Sequence, residues 1–149
     1  MAPSVLPPDF SAFLKSLNAH GVSFLVIGGY AVGYHGYPRA TADIDIWIPR
    51  DSETAGRVVA AIRDFGFDVP ELVPDLFVRP DQVIRLGVPP VRIELLTSIA
   101  GVEFDECLGR AVQTTLDDVP VQMIGLEDLK RNKRAAGRHQ DLADLEHLP

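Results

Sequence analysis

The chain has little cysteine, few basic residues and no long apolar run, and each shortage argues against a class of protein. Its single cysteine, Cys107, cannot form a disulfide within the chain, so nothing indicates an oxidising compartment. A formal net charge of -7 argues against a surface that grips long nucleic acids, because such surfaces are basic. No apolar stretch is long enough to cross a bilayer, and the first residues lack the pattern of a signal peptide. We therefore expect a cytoplasmic protein without membrane contact.

The composition is that of an ordinary globular domain. The 149 residues suit one domain, and 46% hydrophobic against 23% charged residues argues against extensive disorder. The sequence contains neither an internal repeat nor a low-complexity linker. We predict a single domain over residues 1–149, with a sheet core over 9–125 and C-terminal helices over 126–149.

Helical and strand patterns alternate along the chain. Helical spacing of apolar residues predicts a helix over 10–20 with Asp9 as its N-cap, and an apolar run predicts a buried strand over 22–27. Further along, we expect a short helix over 30–35, a two-faced strand over 43–48, a helix over 52–65, strands over 82–86 and 91–96 joined by a turn over 87–90, a helix over 104–111, a hairpin of 112–116 and 121–124, and helices over 126–137 and 139–148. This order predicts an α/β (α+β) fold, in which helices flank a mixed β-sheet and short helices end the chain.

Two carboxylates, Asp43 and Asp45, alternate with isoleucines in the segment DIDIWI. Side chains two apart on a strand point to one face, so a packed strand would present both carboxylates together. Oxygen ligands of this kind suit Mg²⁺, which takes one or two carboxylates plus phosphate oxygens. The alternative is a solvated polar face of an edge strand, and the pattern by itself does not decide between the two.

Two further features favour the metal site. Glu94 lies among apolar residues in VRIELL, where a carboxylate is costly to bury unless it is paired. Its alternatives are a simple pair with Arg92, or exposure. Gly28 and Gly29 end the apolar run before the short helix, and paired glycines let the backbone approach a phosphate closely. Such a turn also occurs for packing reasons.

Together these residues resemble the nucleotidyltransferase superfamily, the fold shared by polymerase beta and aminoglycoside nucleotidyltransferases. Its pattern is an apolar residue, Gly, and Gly or Ser, then a spacer, which here runs over residues 30–42. Asp-apolar-(Asp/Glu)-apolar follows, with a third carboxylate on a later strand. A closer likeness is to small bacterial nucleotidyltransferase-like proteins related to the abortive-infection toxin family. The segments that carry it are GGYAVGYHGYPRATADIDIWI and LEDLKRNKRAAGRHQDLADLEHL.

The resemblance implies a role for each matching residue. Asp43, Asp45 and Glu94 would bind one or two Mg²⁺ ions and form the catalytic centre. Glu94 would also help to deprotonate the acceptor hydroxyl. Gly28 and Gly29 would line the triphosphate of ATP or another nucleoside triphosphate. The implied reaction moves a nucleoside monophosphate to a hydroxyl and releases pyrophosphate.

Arg39 and Thr41 stand just before the acidic strand and are assigned to nucleotide binding. Arg39 could hold phosphate oxygens as a planar fork. It could instead form a salt bridge to Asp43 or Glu94 that holds the site together. Both interpretations stay open at this point.

Lys133 is also assigned to nucleotide binding, because a lysine can reach a triphosphate as a point charge. Its alternative is a solvated helical face on which it pairs with Asp141 or Asp144, and for these two aspartates we favour a structural role. Trp47 shares the nominal face of the acidic pair, and it could flank the site or cap the edge of the sheet.

The acceptor is left open by the sequence. It could be a tRNA end, a protein hydroxyl or a small molecule. We expect a second copy of the chain or another protein to complete the acceptor site, since 149 residues leave little room for a separate acceptor domain. The alternative function is a non-catalytic, nucleotidyltransferase-like partner module of a toxin–antitoxin pair, against which the intact carboxylates argue.

Overall fold

Six strands form one mixed sheet at the centre of the protein. The computed structural model describes residues 6–88 and 91–149. The strands are β1 (Leu25–Ile27), β2 (Asp43–Trp47), β3 (Val83–Val88), β4 (Val91–Leu96), β5 (Val112–Leu116) and β6 (Val119–Met123). They lie in the order β3-β4-β2-β1-β6-β5, with β2–β4 and β1–β6 parallel and the other neighbours antiparallel. The predicted mixed sheet is therefore confirmed.

Helices flank this sheet. They are α1 (Pro8–Ala19), α2 (Gly28–Tyr34), α3 (Ser52–Phe65), α4 (Phe104–Gly109), α5 (Leu126–Ala136) and α6 (His139–His147), with a 3₁₀ turn over Pro74–Phe77. α1 packs against α3, and α5 packs against α6. Over residues 6–88 and 91–149, no helix combines the length and apolar character needed to cross a membrane. The α/β (α+β) class is confirmed, whereas the division into a sheet core and a helical tail stays a prediction.

The apolar side chains of β2 explain how its carboxylates are placed. Ile44, Ile46 and Ile48 are fully buried, and burying each such side chain is worth roughly 1.5–3 kcal/mol. Because side chains alternate along a strand, this burial turns Asp43 and Asp45 to the opposite face. β2 lies between β1 and β4, so the alternative of an edge strand was wrong.

Three predicted element boundaries need correction near the N-terminus. α1 begins at Pro8, so Pro7 and not Asp9 precedes its first turn. β1 is shorter than predicted, because the Val22 N–H donates to the Leu17 carbonyl and closes α1. α2 begins at Gly28, so the glycine pair forms its first turn and does not precede it.

Later boundaries shift by a few residues. β3 extends to Val88, so residues 87 and 88 of the predicted turn belong to the strand. Residues 89 and 90 of that turn lie outside the described chain. α4 ends at Gly109, two residues early, and β6 begins at Val119, which makes the hairpin turn tight. That turn consists of Asp117 and Asp118, both with positive φ.

Candidate active site

Three carboxylates lie on one face of two adjacent strands. β2 and β4 are parallel and in register, with Asp45 opposite Glu94 and Asp43 opposite Arg92. Neighbouring strands are about 4.8 Å apart, so these side chains are direct neighbours across the sheet. The structure thus brings together the carboxylates that the sequence singled out, and their catalytic role stays a prediction.

The carboxylates face an open cleft of about 710 Å³. All residues assigned above to catalysis, metal binding and nucleotide binding line it. The C-terminal helices contribute positive charge to the same cleft through Lys133 and Arg138. The arrangement therefore combines an acidic sheet face with cationic side chains, which suits a ligand that carries both a metal ion and phosphates.

The two glycines make room for the site residues. Gly28 has φ +67°, and a Cβ there would overlap the carboxylate of Asp45. A Cβ at Gly29 would lie 2.8 Å from Thr41 Oγ1. The packing explanation that was left open for this glycine pair therefore accounts for both positions, while contact with a triphosphate stays a prediction.

Thr41 sets the entry into β2. The Thr41 hydroxyl donates to the Asp43 carbonyl at 3.1 Å, and the Asp43 N–H donates back to Thr41 Oγ1 at 3.3 Å. Hydrogen bonds between a side chain and nearby backbone of this kind compete with strand pairing and fix a turn. Thr41 thus positions Asp43, and its predicted contact with nucleotide stays a prediction.

Asp45 is the carboxylate whose charge is most disfavoured. Its pKa is raised to about 7, first by burial and then by the negative charges of Glu94 and Asp43. The positive charges of Lys133 and Arg138 oppose this shift without cancelling it. Asp45 is therefore only partly ionised near neutral pH, and a further cation close to it would favour its charged form.

The neighbouring carboxyl groups of Asp43 and Glu94 shift in opposite directions. Burial and the neighbouring Asp43 carboxyl raise the pKa of Glu94. Burial also acts to raise the pKa of Asp43, but the hydrogen bond from Arg92 and the neighbouring Glu94 carboxyl outweigh it, and the net shift of this pKa is downward. Compared with ordinary carboxyl groups, ionisation is therefore easier at Asp43 and harder at Glu94.

Two arginines approach these carboxylates, Arg92 from β4 and Arg85 from β3. Arg92 Nη2 lies 2.8 Å from Asp43 Oδ2 and 3.5 Å from Glu94 Oε1, so the Arg92–Glu94 pair considered from the sequence is present but is the longer contact. Arg85 Nε lies 3.5 Å from Glu94 Oε2. Sequence reasoning missed Arg85, because only the register between β3 and β4 places it opposite Glu94.

Arg39 pairs with neither carboxylate suggested from the sequence. Its Nε and Nη2 donate to the two oxygens of Asp144 at 2.8 and 2.9 Å. The predicted salt bridge to Asp43 or Glu94 was therefore wrong. Asp144 lies on α6, which returns to the loop before β2, and this long-range contact leaves no local sign in the sequence.

Lys133 is tied to the same C-terminal helix. Its Nζ lies 2.9 Å from Asp144 Oδ2 and 3.3 Å from Asp141 Oδ1, so the alternative pairing is present. The helical face is not solvated, however, since the Lys133 side chain is only 5% exposed. Arg138, a cleft residue that the sequence pattern did not indicate, donates to Asp141 at 2.8 Å, and its side chain is 78% exposed.

Trp47 and Cys107 take no part in the cleft. Trp47 is buried edge-on against Phe104, with ring centroids 5.2 Å apart, so it neither flanks the site nor caps a sheet edge. Burial, and then the charge and hydrogen bond of Asp128, raise the pKa of the Cys107 thiol to about 12. Such a thiol is unreactive at neutral pH.

A family model described as "Nucleotidyl transferase of unknown function (DUF2204)" matches residues 8–149. The chain belongs to this family. The resemblance to the nucleotidyltransferase superfamily is thereby confirmed, and membership supports a general role in nucleotidyl transfer. No curated protein matches the sequence, and the narrower link to abortive-infection toxins stays a prediction.

The site chemistry fits a hard divalent cation such as Mg²⁺. The candidate metal ligands at this site are all carboxylate oxygens. Asp43 Oδ1 is buried and has no hydrogen-bond donor among the residues that the structure describes, and the charged form of Asp45 lacks a sufficient counter-charge. Over residues 6–88 and 91–149, no three His, Cys, Asp or Glu side chains already converge as a metal site. Arg92 and Arg85 instead hold two of the carboxylates in this family member.

Proposed function

We propose that the protein is a magnesium-dependent nucleotidyltransferase. It moves a nucleoside monophosphate from ATP or another nucleoside triphosphate to an acceptor hydroxyl, with release of pyrophosphate. One observation carries the proposal: Asp43, Asp45 and Glu94 stand on one face of β2 and β4 and line a cleft that also contains cationic side chains. The family description supports nucleotidyl transfer in general.

In this reaction the acceptor oxygen forms a bond to the α-phosphorus. The bond between the α-phosphorus and the oxygen that bridges to the β-phosphate breaks, and pyrophosphate leaves with its electron pair. Glu94 is the proposed acceptor of the hydroxyl proton. Burial and the neighbouring Asp43 carboxyl raise the pKa of Glu94 above that of an ordinary glutamate, which makes its carboxylate a stronger base.

Asp43, Asp45 and Glu94 are the proposed ligands of Mg²⁺. When bound, magnesium stabilises the charges of the attacking and leaving oxygens. Asp45 supports this assignment most directly, because its two carboxylate neighbours disfavour its ionisation and an added cation would reverse that effect. The cation would thus bind a group that is otherwise partly protonated, and binding would release a proton.

The cationic side chains are the proposed contacts of the phosphates. Arg138 is the most accessible of them, with a side chain that is 78% exposed and oriented by Asp141. Lys133 and Arg39 are less exposed, and Asp144 holds both in place. This arrangement provides preorganised positive charge, which is the larger part of what a protein contributes to phosphoryl transfer.

The test uses nucleotides labelled at the α-phosphate. Purified protein is incubated with Mg²⁺, a cell lysate and labelled ATP, CTP, GTP or UTP in turn, and the products are separated into RNA, protein and small molecules. We expect one fraction to be labelled, which identifies a tRNA end, a protein hydroxyl or a small molecule as acceptor. Label at the γ-phosphate should not transfer, and chelation of Mg²⁺ should stop the reaction.

Two outcomes contradict the proposal. Equal labelling by wild type and by Asp45→Asn would assign the activity to a contaminant. Failure of all four triphosphates to bind in calorimetry with Mg²⁺ would favour the non-catalytic partner module over an enzyme.

A further inference from the structure

Arg92 holds Asp43 through a single oxygen. Arg92 Nη2 donates to Asp43 Oδ2 at 2.8 Å, and the two residues are register partners on adjacent strands. The side chains are 31% and 17% exposed, so water reaches the pair only partly. A charge-assisted hydrogen bond in such surroundings restricts the orientation of the carboxylate strongly.

The same pair leaves two buried polar atoms without partners. Asp43 Oδ1 and Arg92 Nε are both buried, and neither finds a hydrogen-bond partner within residues 6–88 and 91–149. Unpaired buried polar atoms cost free energy, and in native proteins each one calls for a physical explanation. Here both fall on the contact between one arginine and one carboxylate of the site.

Two other arginines of this protein engage both oxygens of a carboxylate, whereas Arg57 and Arg131 each reach only one. Arg39 donates through Nε and Nη2 to both oxygens of Asp144. Arg110 uses the same two nitrogens on both oxygens of Asp128, at 2.9 and 3.0 Å. A contact of this kind pairs two arginine nitrogens with both oxygens of the carboxylate. Arg92 does not make such a contact with Asp43.

We propose that Arg92 is a positioning residue that holds Asp43 by Oδ2 alone and thereby presents Oδ1 to a divalent cation. The inference rests on the proposed function, since it assigns to Asp43 the part of a metal ligand. Carboxylate ligands of metal ions are commonly hydrogen-bonded by an outer partner that fixes their orientation. Arg92 has the place and the contact of such a partner.

The opposite possibility is that Arg92 competes with the cation. Its positive charge lies beside Asp43 and Glu94 and would repel a second cation there. The two accounts predict opposite effects of removing Arg92 on the affinity for the cation. Loss of a positioning residue weakens cation binding, whereas loss of a competing charge strengthens it.

Mn²⁺ serves as the probe, because free Mn²⁺ can be counted by electron paramagnetic resonance without nucleotide and without turnover. We expect the Kd for Mn²⁺ to rise by about tenfold or more in Arg92→Gln, as for other outer partners of metal ligands. Arg92→Lys should lie between Gln and wild type, because lysine keeps the charge and one contact but loses the planar shape. The matched control is Arg57→Gln, which removes an exposed arginine paired with Glu53 on α3 and should leave Kd unchanged.

A Kd for Arg92→Gln that equals the wild-type value, or is tighter, overturns the inference. Thermal unfolding of the metal-free proteins separates positioning from folding, since a purely structural Arg92 would lower Tm without changing Mn²⁺ affinity. If Arg92→Gln shows no cooperative transition, Arg92→Met replaces it, with the same expected and overturning results. Wild-type protein that binds no Mn²⁺, either alone or with a nucleoside triphosphate present, would overturn the metal-dependent function itself, whereas binding that is indifferent to position 92 overturns this inference alone.

Discussion

Two charged clusters line the same cleft, and they differ in how completely their carboxylates are paired. The C-terminal cluster consists of Asp141 and Asp144 with their cationic partners Lys133, Arg39 and Arg138. Burial acts to raise the pKa of each aspartate, but the hydrogen bonds and charges of the partners outweigh it, and both pKa values are lowered. These carboxylates stay ionised and tie α6 to α5 and to the loop before β2.

The acidic cluster on β2 and β4 has the opposite balance. Asp45 is half-buried beside two other carboxylates, and its pKa is raised to about 7. Asp43 keeps one buried oxygen for which the described part of the chain provides no donor. The comparison shows that buried carboxylates with a full set of donors build structure, whereas buried carboxylates without one are suited to receive a cation.

The largest expected effect tests the acidic cluster directly. Asp45→Asn should lower the rate of nucleotidyl transfer by on the order of a thousandfold, because metal-assisted charge stabilisation is worth several kcal/mol. The same substitution should leave the Tm of the metal-free protein unchanged or higher, since it removes a carboxyl group whose ionisation burial and two neighbouring carboxylates disfavour. Initial rates of label transfer and thermal unfolding check the two parts. A rate within tenfold of wild type would remove Asp45 from the machinery.

The C-terminal cluster should respond in stability. Asp144→Asn leaves Lys133 and Arg39 without their shared buried counter-charge, and breaking a buried ion pair in this way costs about 3–5 kcal/mol. Urea unfolding measures the loss. Glu146→Gln on the exposed side of the same helix is the matched control and should change stability by less than about 0.5 kcal/mol. Equal stability of the two variants would contradict the structural role of the cluster.

Two glycine substitutions test whether the packing around Asp45 is tight. Gly28→Ala should destabilise the protein by roughly 2 kcal/mol, because a side chain at positive φ is strained and would displace Asp45. Gly56→Ala, in the middle of α3 with open space around it, should instead stabilise by roughly 0.5–1 kcal/mol. Urea unfolding gives both values. Similar changes at the two positions would show that the space beside Asp45 is not needed.

The smallest expected effect is a pH dependence of the metal-free protein. Folded Asp45 binds a proton up to about pH 7, whereas unfolded Asp45 has the ordinary value of 3.8. Between pH 3.8 and about 7 the folded state therefore binds this proton more tightly than the unfolded state does. The free energy of unfolding consequently falls as pH rises through this range. Relative to Asp45→Asn, wild type should lose on the order of 1–2 kcal/mol across this range, less than the full shift implies because the open cleft admits solvent.

The free energies of unfolding of wild type and Asp45→Asn, measured at several pH values, give this difference. Because the other titrating groups are the same in both proteins, their contributions largely cancel. Added Mg²⁺ should restore stability of wild type above pH 7 and should do little for the variant. A difference that is flat with pH would mean that Asp45 is ionised in the metal-free protein.

Most of the fold could be predicted from local patterns. The alternation of Asp43 and Asp45 with buried isoleucines determined which face of β2 carries charge, because a strand cannot bury both sides of this pattern cheaply. The boundaries of α3 and β4 were also correct. Errors occurred at ends such as Val22, where a hydrogen bond back to α1 competed with strand pairing.

The site was predictable to the extent that its residues stand in a recognisable order along the chain. Gly28, Gly29, the acidic pair on β2 and Glu94 all line one cleft. The partners of these residues were not predictable. Arg85 reaches Glu94 only through strand register, and Arg39 reaches Asp144 across more than a hundred residues of sequence.

By itself, the sequence determined the strand faces, the order of the elements and the set of acidic residues, because these depend on side-chain periodicity and on local turns. Only the tertiary structure decided which carboxylates are paired. Pairing depends on distances between segments that are remote in the chain, and a buried charge is stable or reactive according to the donors that folding brings within hydrogen-bonding range.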